Sequence, residues 1–217
     1  YFLFLARAYK HNDLSQIYPL VRGTGTALVP ILGALILNED VSVKAILGVL
    51  LIIIGMSVVY WSGNMRSILI RPWTIVGDVG ILYAFATGLL ISGYAIWDKV
   101  GVTYVPPLFY MYLMALGTGL IFTPYILRTH GLNSVVHEWK MNYLKIVVAG
   151  VLTFIAYGLV LSALEISKVS YVWPARELGL VVAVILGSTL AKESFGFGRV
   201  FGSAIIIVGV FSIAFFA

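Results

Sequence analysis

Cysteine is absent from the sequence, so disulfide bridges, thiolate metal sites and cysteine nucleophiles are excluded. Histidine is scarce, because the chain has only His11, His130 and His137, in predicted connections without metal-ligand spacing. Charge is scarce as well: Asp, Glu, Lys and Arg make up 11% of the residues, whereas a soluble domain carries about 25%. We therefore expect no metal and no cofactor, and a soluble globular domain is excluded.

The sequence consists largely of long, continuous hydrophobic stretches. Hydrophobic residues make up 61% of the chain and the mean hydropathy is +1.02. The stretches long enough to cross a hydrocarbon layer of about 30 Å are continuous and lie at residues 14–37, 43–61, 74–97, 106–127, 143–164, 169–190 and 198–216. A further stretch, "YFLFLARA", ends at Ala8 and is interpreted as the end of a truncated helix. This pattern predicts an all-α polytopic protein of the lipid bilayer with seven complete spans.

The net charge of +5 is carried mostly by short connecting segments. No basic run is interleaved with aromatic residues, so we expect no nucleic-acid partner. Lys and Arg are concentrated in the connections at residues 9–13, 62–73, 128–142 and 191–199. The positive-inside rule places these connections in the cytoplasm and the C-terminus outside.

An internal repeat relates the two ends of the chain. "AYKHNDLSQIYP" recurs as "ALEISKVSYVWP" at an offset of 155 residues, and after one lost residue the offset becomes 154. Proline, glutamate and glycine coincide in register, and these types coincide rarely in an apolar background. The matched pairs are Ala8 with Ala163, Ser15 with Ser170, Pro19 with Pro174, Gly33 with Gly187, Glu39 with Glu193, Gly48 with Gly202, and Gly55 with Gly209.

The repeat predicts the organisation of the protein. The second copy, residues 74–217, has three spans before Ala163, whereas seven residues precede Ala8. We interpret residues 1–61 as the C-terminal part of the first copy and expect ten helices in two copies of five. An odd number of spans per copy inverts one copy relative to the other, as in alternating-access carriers. We expect this chain alone not to transport.

Three stretches carry a resemblance to a known family: Tyr18 to Gly55, "YAIWDKVGV" from Tyr94 to Val102, and "AYGLVLSALEISKVSYVWPARELGLVVAVILGSTLAKESF" from Ala156 to Phe195. In these stretches the sequence resembles the EamA-like branch of the drug/metabolite transporter superfamily. Lys192 departs from the glycine usual at that position. The resemblance implies a ten-helix, multi-pass carrier of the bacterial inner (plasma) membrane that exports amino acids or other small metabolites. It also implies cytoplasmic termini, the opposite of the charge bias, so the orientation stays open.

Arg22 lies in the middle of an apolar stretch. It follows Leu14 by eight residues, about 12 Å along a helix and close to the membrane midplane. A central arginine costs about 2.5 to 3.5 kcal/mol unless it faces a watery cavity or a carboxylate. Pro19 would kink the same helix. Two interpretations remain: a cavity residue, or a static ion pair that locks two helices together.

Glu177 is the counterpart of Arg22 in the second copy at the offset of 155. Counterparts near the axis of an inverted repeat meet, so we predict an Arg22–Glu177 pair. Arg176 points about 100° away from Glu177 on a helix and is left to bind a substrate carboxylate or phosphate.

Aromatic residues near these positions complete the predicted cavity. The candidate substrate-binding and cavity residues are Tyr18, Pro19, Arg22, Tyr94, Trp97, Tyr157, Trp173, Pro174, Arg176 and Glu177. Glu39 and Glu193 follow the ends of their spans, and we predict that they cap turns. We expect Asp98 and Lys99, just past residue 97, at the membrane interface, with Asp78 as a minor candidate for proton coupling.

We expect a secondary-active transporter that exports a small metabolite, an amino acid or a related polar or anionic compound, by alternating access. A channel and a membrane-embedded enzyme are the alternatives. No intramembrane histidine, HExxH motif or paired aspartate indicates an enzyme, and the differing signs of the buried charges argue against a channel filter. Protons as coupling ion and a homodimer are candidate partners.

Overall fold

The computed structural model describes residues 1–11, 14–61, 79–190 and 197–216, and all regular structure in these ranges is helical. Continuous apolar runs satisfy every backbone hydrogen bond internally as helices, which a lipid environment requires. The helices are α1 (Phe2–His11), α2 (Leu14–Ile36), α3 (Val43–Trp61), α4 (Val79–Tyr104), α5 (Pro107–Ile166), α6 (Val169–Ala175), α7 (Leu178–Leu190) and α8 (Phe197–Phe216).

Three helices of the described ranges are long and apolar enough to cross a membrane: α4, α5 and α8. Two shorter apolar segments lie at Leu20–Ile36 and Val43–Val59. In α5 only 11% of the most apolar window is buried, which is typical of a lipid-facing surface. The chain is therefore a multi-pass, all-α membrane protein. The described helices differ from the predicted spans in three places, which are the end of α4, the connection within α5 and the break between α6 and α7.

Helix α4 ends at Tyr104, seven residues beyond the predicted end at residue 97, because "DKVGVTY" continues the helix. The spans predicted at 106–127 and 143–164 are two helices that join across a kink within α5, and much of the connection predicted between them is helical. Two non-helical residues interrupt α5, Gly131 (φ 76°, ψ 157°) and Asn142 (φ −129°, ψ 18°). Gly131 accepts the positive φ because it lacks a Cβ.

The span predicted at 169–190 is also interrupted, because α6 ends at Ala175 and α7 begins at Leu178. Pro174 has no N–H for the helix ladder, and its ring crowds the preceding turn. Directly after it, the N–H of Glu177 bonds the carbonyl of Pro174 at 3.0 Å, and the N–H of Gly179 bonds that of Arg176 at 3.1 Å. These hydrogen bonds connect residues three apart rather than four, so the backbone across the break forms tighter turns than an α-helix does.

The chain divides into two compact units, Tyr1–Trp97 with Lys168–Ala217, and Asp98–Ser167. This division does not follow the predicted repeats, since the first unit combines α2 and α3 from the first copy with α6, α7 and α8 from the second. In the second unit, Lys99 donates hydrogen bonds to the carbonyls of Leu164 and Ser167 at 2.5 and 2.9 Å. This places its charge at the negative C-terminal end of α5.

The core of the first unit is the crossing of α3 with α8. Gly48 lies against Gly209, and Gly55 lies against Gly202, so the two helices run antiparallel. A Cβ on Gly55 would lie 2.7 Å from the carbonyl oxygen of Gly202, and a Cβ on Gly48 would lie 2.8 Å from that of Gly209. Lipid gives little hydrophobic drive for helix association, so close backbone approach through small residues supplies the packing.

The contacts of this crossing are reciprocal under the repeat offset of 154. Exchanging the copies converts the Gly48–Gly209 contact into the Gly202–Gly55 contact. The isoleucine and valine neighbours exchange in the same way: Ile213 faces Gly48 as Val59 faces Gly202, and Ile206 faces Gly55 as Ile52 faces Gly209. Buried residues of α6 and α7, Tyr171 and Val181, join the same apolar cluster.

Candidate functional site

An ion pair joins the middle of α2 to the break between α6 and α7. Nη2 of Arg22 lies 3.0 Å from Oε1 of Glu177 and donates a hydrogen bond to Oε2 at 3.1 Å. The Thr26 hydroxyl donates to Oε1 of Glu177 at 3.3 Å. The predicted contact between Arg22 and Glu177 is present. Thr26 was not predicted, although it follows Arg22 by four residues and so shares its helix face.

The two members of the pair differ in exposure. The Glu177 side chain is 3% exposed and the Arg22 side chain is 22% exposed, so the guanidinium forms the open side of the pair. The Tyr18 ring lies 5.8 Å from Cζ of Arg22, within range of a cation–π interaction. Within the described ranges, Nε of Arg22 is buried and has no hydrogen-bond partner.

The helix break gives Arg176 and Glu177 different surroundings, as the sequence predicted. Glu177 faces α2, whereas the Arg176 guanidinium lies over the Trp173 ring, 4.8 Å from its centroid. Arg176 also makes a side-chain hydrogen bond with Tyr94. The Tyr94 and Trp173 rings pack edge to face at 5.6 Å. Arg176 is therefore held by aromatic side chains from α4 and α6.

Tyr1 extends this aromatic group, because its ring lies 6.0 Å from that of Tyr94. Tyr1 was not among the predicted site residues. Together the described residues of the site carry two guanidinium groups and one carboxylate. An excess positive charge surrounded by aromatic rings is suited to an anionic or zwitterionic small molecule.

The structure does not bring every predicted residue to this site. Trp97 is 73% exposed, so its side chain lies on the surface of α4 rather than in the aromatic group. Tyr157 belongs to the second unit, where its hydroxyl donates to Asp98. Pro174 is buried in α6, beside the break. Pro19 lies in α2, which continues through it, and its side chain lies outside the described part.

Glu39 caps a helix, though not the one that precedes it. Its carboxylate accepts hydrogen bonds from the N–H groups of Val169 and Ser170 at 2.8 and 3.0 Å, and from the Ser170 hydroxyl at 2.5 Å. Lys168 donates to the carbonyl of Asp40 at 2.6 Å. The predicted capping role is confirmed, and the loop after α2 is fixed to the start of α6. Glu193, Lys192 and Asp78 lie outside the described residues.

Among the described residues, no group of three or more His, Asp or Glu side chains could hold a metal ion. The chemistry available at the site is ion pairing, hydrogen bonding and aromatic stacking, which suits binding rather than bond cleavage.

Residues 78–215 match the family model of the EamA-like transporter family, which covers more than half of the chain. The chain belongs to the EamA-like transporter family. The resemblance drawn from the sequence is thereby confirmed. Residues 1–52 match a second model, that of the Small Multidrug Resistance protein.

Curated relatives match a shorter part of this EamA-like chain. "Multidrug resistance protein EbrB" of Bacillus subtilis (strain 168) and the protein of the same name from Bacillus atrophaeus are each 42% identical over 57 residues. The match covers 26% of this chain and 49% of each relative. The chain thus spans about half the length of the curated relatives it matches. No solved structure matches the chain.

Proposed function

We propose that this EamA-like chain forms part of a secondary-active carrier that exports a small polar or anionic metabolite, such as an amino acid, by alternating access. The observation that carries the proposal is the composition of the site: Arg22, Arg176 and Glu177 lie among aromatic rings with one positive charge in excess. A substrate carboxylate or phosphate would balance that charge.

The two arginines suit different tasks. Arg22 is paired with Glu177, and this pair holds α2 to the break between α6 and α7. Arg176 presents a planar fork of donors beside Trp173 and Tyr94, a geometry that recognises carboxylate or phosphate through two parallel hydrogen bonds. We therefore assign substrate contact to Arg176 and positioning to the Arg22–Glu177 pair.

Two observations support an inverted-repeat carrier. The α3–α8 contacts exchange with each other under the repeat offset, and Arg22 and Glu177, which are 155 residues apart, contact each other. Residues related by a two-fold axis meet when they lie near that axis, and carriers of this class bind substrate at the interface of their repeats. Both curated relatives are bacterial, and we place the protein in a bacterial plasma membrane, with protons as coupling ion and a homodimer as candidate assembly.

Counterflow tests the proposal. The natural full-length protein is reconstituted in vesicles loaded with unlabelled amino acids, dicarboxylates or organic phosphates, and uptake of the labelled compound is followed. A carrier gives saturable uptake that transiently exceeds equilibrium. Saturable flux without counterflow would indicate a channel, and a chemically altered compound would indicate an enzyme.

The substrate class is tested by Arg176→Lys, with Arg128→Lys on the exposed surface of α5 as the matched control. Lysine keeps the charge but loses the planar fork, so we expect a higher half-saturation concentration for anionic substrates and unchanged folding. The control should behave as the natural protein does. Counterflow by organic cations alone, unaffected by Arg176→Lys, would contradict the anionic assignment.

A further inference from the structure

A buried carboxylate in the second unit has no role in the transport mechanism proposed above. Asp98 is 1% exposed and lies within α4, which continues for six residues to Tyr104. The predicted span ended at residue 97, whereas α4 continues past Asp98 and the carboxylate is buried within the protein. Its position at the membrane interface stays a prediction. An ionisable side chain buried in an apolar spanning helix is costly to keep and typically serves a function.

Both oxygens of this carboxylate accept hydrogen bonds from tyrosines. The Tyr110 hydroxyl donates to Oδ1 at 3.0 Å, and the Tyr157 hydroxyl donates to Oδ2. Tyr110 lies in the first part of α5 and Tyr157 in its last part, so a single carboxylate contacts both. A Cβ at Gly101 would clash with the Tyr110 ring, which shows that this ring is seated directly against α4.

The charged and titratable groups around Asp98 come from both helices of the unit. On α5 they are the two phenols, and on α4 the neighbour is Lys99. The Lys99 ammonium is directed to the carbonyls of Leu164 and Ser167 at the end of α5. Both phenols thus donate hydrogen bonds directly to the Asp98 oxygens.

A phenol hydroxyl can donate or accept a hydrogen bond, so the same two tyrosines can serve either protonation state of a carboxyl group. As a carboxylate, Asp98 accepts from both. When it takes a proton from hydronium and releases water, the new O–H can donate to one phenol oxygen, whose own proton turns to another acceptor. The return of the proton to water reverses each change.

We propose that Asp98 is a proton-binding site that takes up and releases one proton in each transport cycle, with Tyr110 and Tyr157 as positioning residues. The transport part of this proposal rests on the proposed function, whereas proton binding by Asp98 does not. Asp98 follows Tyr94 by four residues in the sequence of α4, which makes this helix the covalent link between the proton site and the proposed substrate site.

Infrared difference spectroscopy of the protein in lipid tests proton binding without any substrate. The carbonyl stretch of a protonated carboxyl group should appear as the pH falls, and Asp98→Asn should remove it. Glu138→Gln is the matched control, because Glu138 is an exposed carboxylate of the same unit and is bonded by Asn142. Substitution of Glu138 should leave the infrared band of the protonated Asp98 carboxyl group unchanged.

Tyr157→Phe and Tyr110→Phe should keep the infrared band of the protonated Asp98 carboxyl group. Each should shift the pH at which half of this band has appeared, since each removes one hydrogen-bond donor to the carboxylate. If Asp98→Asn does not fold, these two tyrosine variants still test whether Asp98 binds a proton. Three outcomes would overturn the assignment. The carboxyl band is absent from the natural protein, it persists in Asp98→Asn, or neither tyrosine substitution moves the pH midpoint of its appearance.

Flux under a pH gradient tests the link to transport. We expect gradient-driven uptake to fall by about tenfold in Asp98→Asn, within the usual range of coupling between sites, while exchange at equal pH continues. Gradient-driven uptake equal to that of the natural protein would overturn the coupling. If no compound is moved by any variant, the proposed function fails while the infrared result still decides whether Asp98 binds a proton.

Discussion

The α3–α8 crossing and the contact of α2 with the α6–α7 break lie in the same unit, and both join residues that the repeat relates. At the first crossing, Gly48 meets Gly209 and Gly55 meets Gly202, so the same residue type stands on both sides. At the second contact, Arg22 meets Glu177, and the counterparts have opposite charges. The predicted counterparts are thus identical where two helices only pack, and they differ in charge at the buried ion pair.

This difference indicates that the α3–α8 crossing serves as a packing scaffold, whereas the Arg22–Glu177 contact belongs to the proposed binding site. Glycines allow backbones to approach closely in a setting where polar groups are costly, and the glycines of this crossing face backbone atoms and aliphatic side chains. The Arg22–Glu177 contact lies beside Arg176 and its aromatic neighbours, where a polar molecule can be recognised. Substitutions at the two places should therefore have different consequences.

The largest effect is expected at Glu177. Glu177→Ala leaves the Arg22 guanidinium without its carboxylate, and breaking a buried ion pair in this way costs about 3 to 5 kcal/mol. The measurement is the free energy of unfolding in detergent micelles. Glu138→Ala, at an exposed carboxylate, is the control and should stay close to the natural protein. Equal stability of the two variants would show that the pair is not needed for the fold.

The second effect is expected at the scaffold crossing. Gly55→Ala places a methyl group 2.7 Å from the carbonyl oxygen of Gly202, so α3 and α8 must separate at a cost of about 1 to 3 kcal/mol. In Gly23→Ala the new methyl group meets open space, and the better helix propensity of alanine should raise stability by about 0.5 to 1 kcal/mol. If Gly55→Ala leaves the unfolding free energy equal to or above that of the natural protein, the crossing is looser than described.

A smaller effect is expected where the loop after α2 meets α6. Ser170→Ala removes the hydroxyl that donates to Glu39 but keeps both backbone N–H donors. One hydrogen bond to a charged group contributes about 1.5 to 3 kcal/mol when lost entirely, and the remaining donors should limit the loss to about 1 kcal/mol. Thermal unfolding of the variant measures it. A loss as large as that of Glu177→Ala would make this joint, rather than the ion pair, the main tie between α2 and α6.

The smallest effect on stability is expected at Pro174. Pro174→Ala restores an N–H donor to the backbone and should favour a continuous helix across residues 175–178. We expect near-normal folding and slower turnover, since the break positions Arg176 and Glu177 and serves as a hinge. Initial exchange rates at saturating substrate measure this. Unchanged turnover would show that the break is fixed by its surroundings and does not act as a hinge.

Sequence reasoning reached the features that depend on composition and spacing. Apolar runs predicted α2, α3 and α8, because only helices satisfy the backbone in lipid. The glycine spacing predicted close packing, and the repeat register predicted the contact between Arg22 and Glu177. Each of these follows from residue type and position alone.

The features that were missed depend on tertiary context. The run at 169–190 is apolar on both sides of Arg176 and Glu177, so its length predicted one span, although Pro174 directly precedes the break. The polar segment at 128–142 resembles a loop in composition but forms helix around Gly131 and Asn142. The burial of Asp98 was missed because its two tyrosine partners, at residues 110 and 157, are far away in the sequence.

The central claim is that Arg22 and Glu177 act as one unit at the site, and a charge-swap cycle tests it most directly. Unfolding free energy and initial flux are measured for Arg22→Glu, Glu177→Arg and the double variant. Each single reversal places two like charges within about 3 Å and should lose most stability and flux, whereas the double variant should recover part of both. Losses that simply add, with no recovery in the double variant, would contradict the claim.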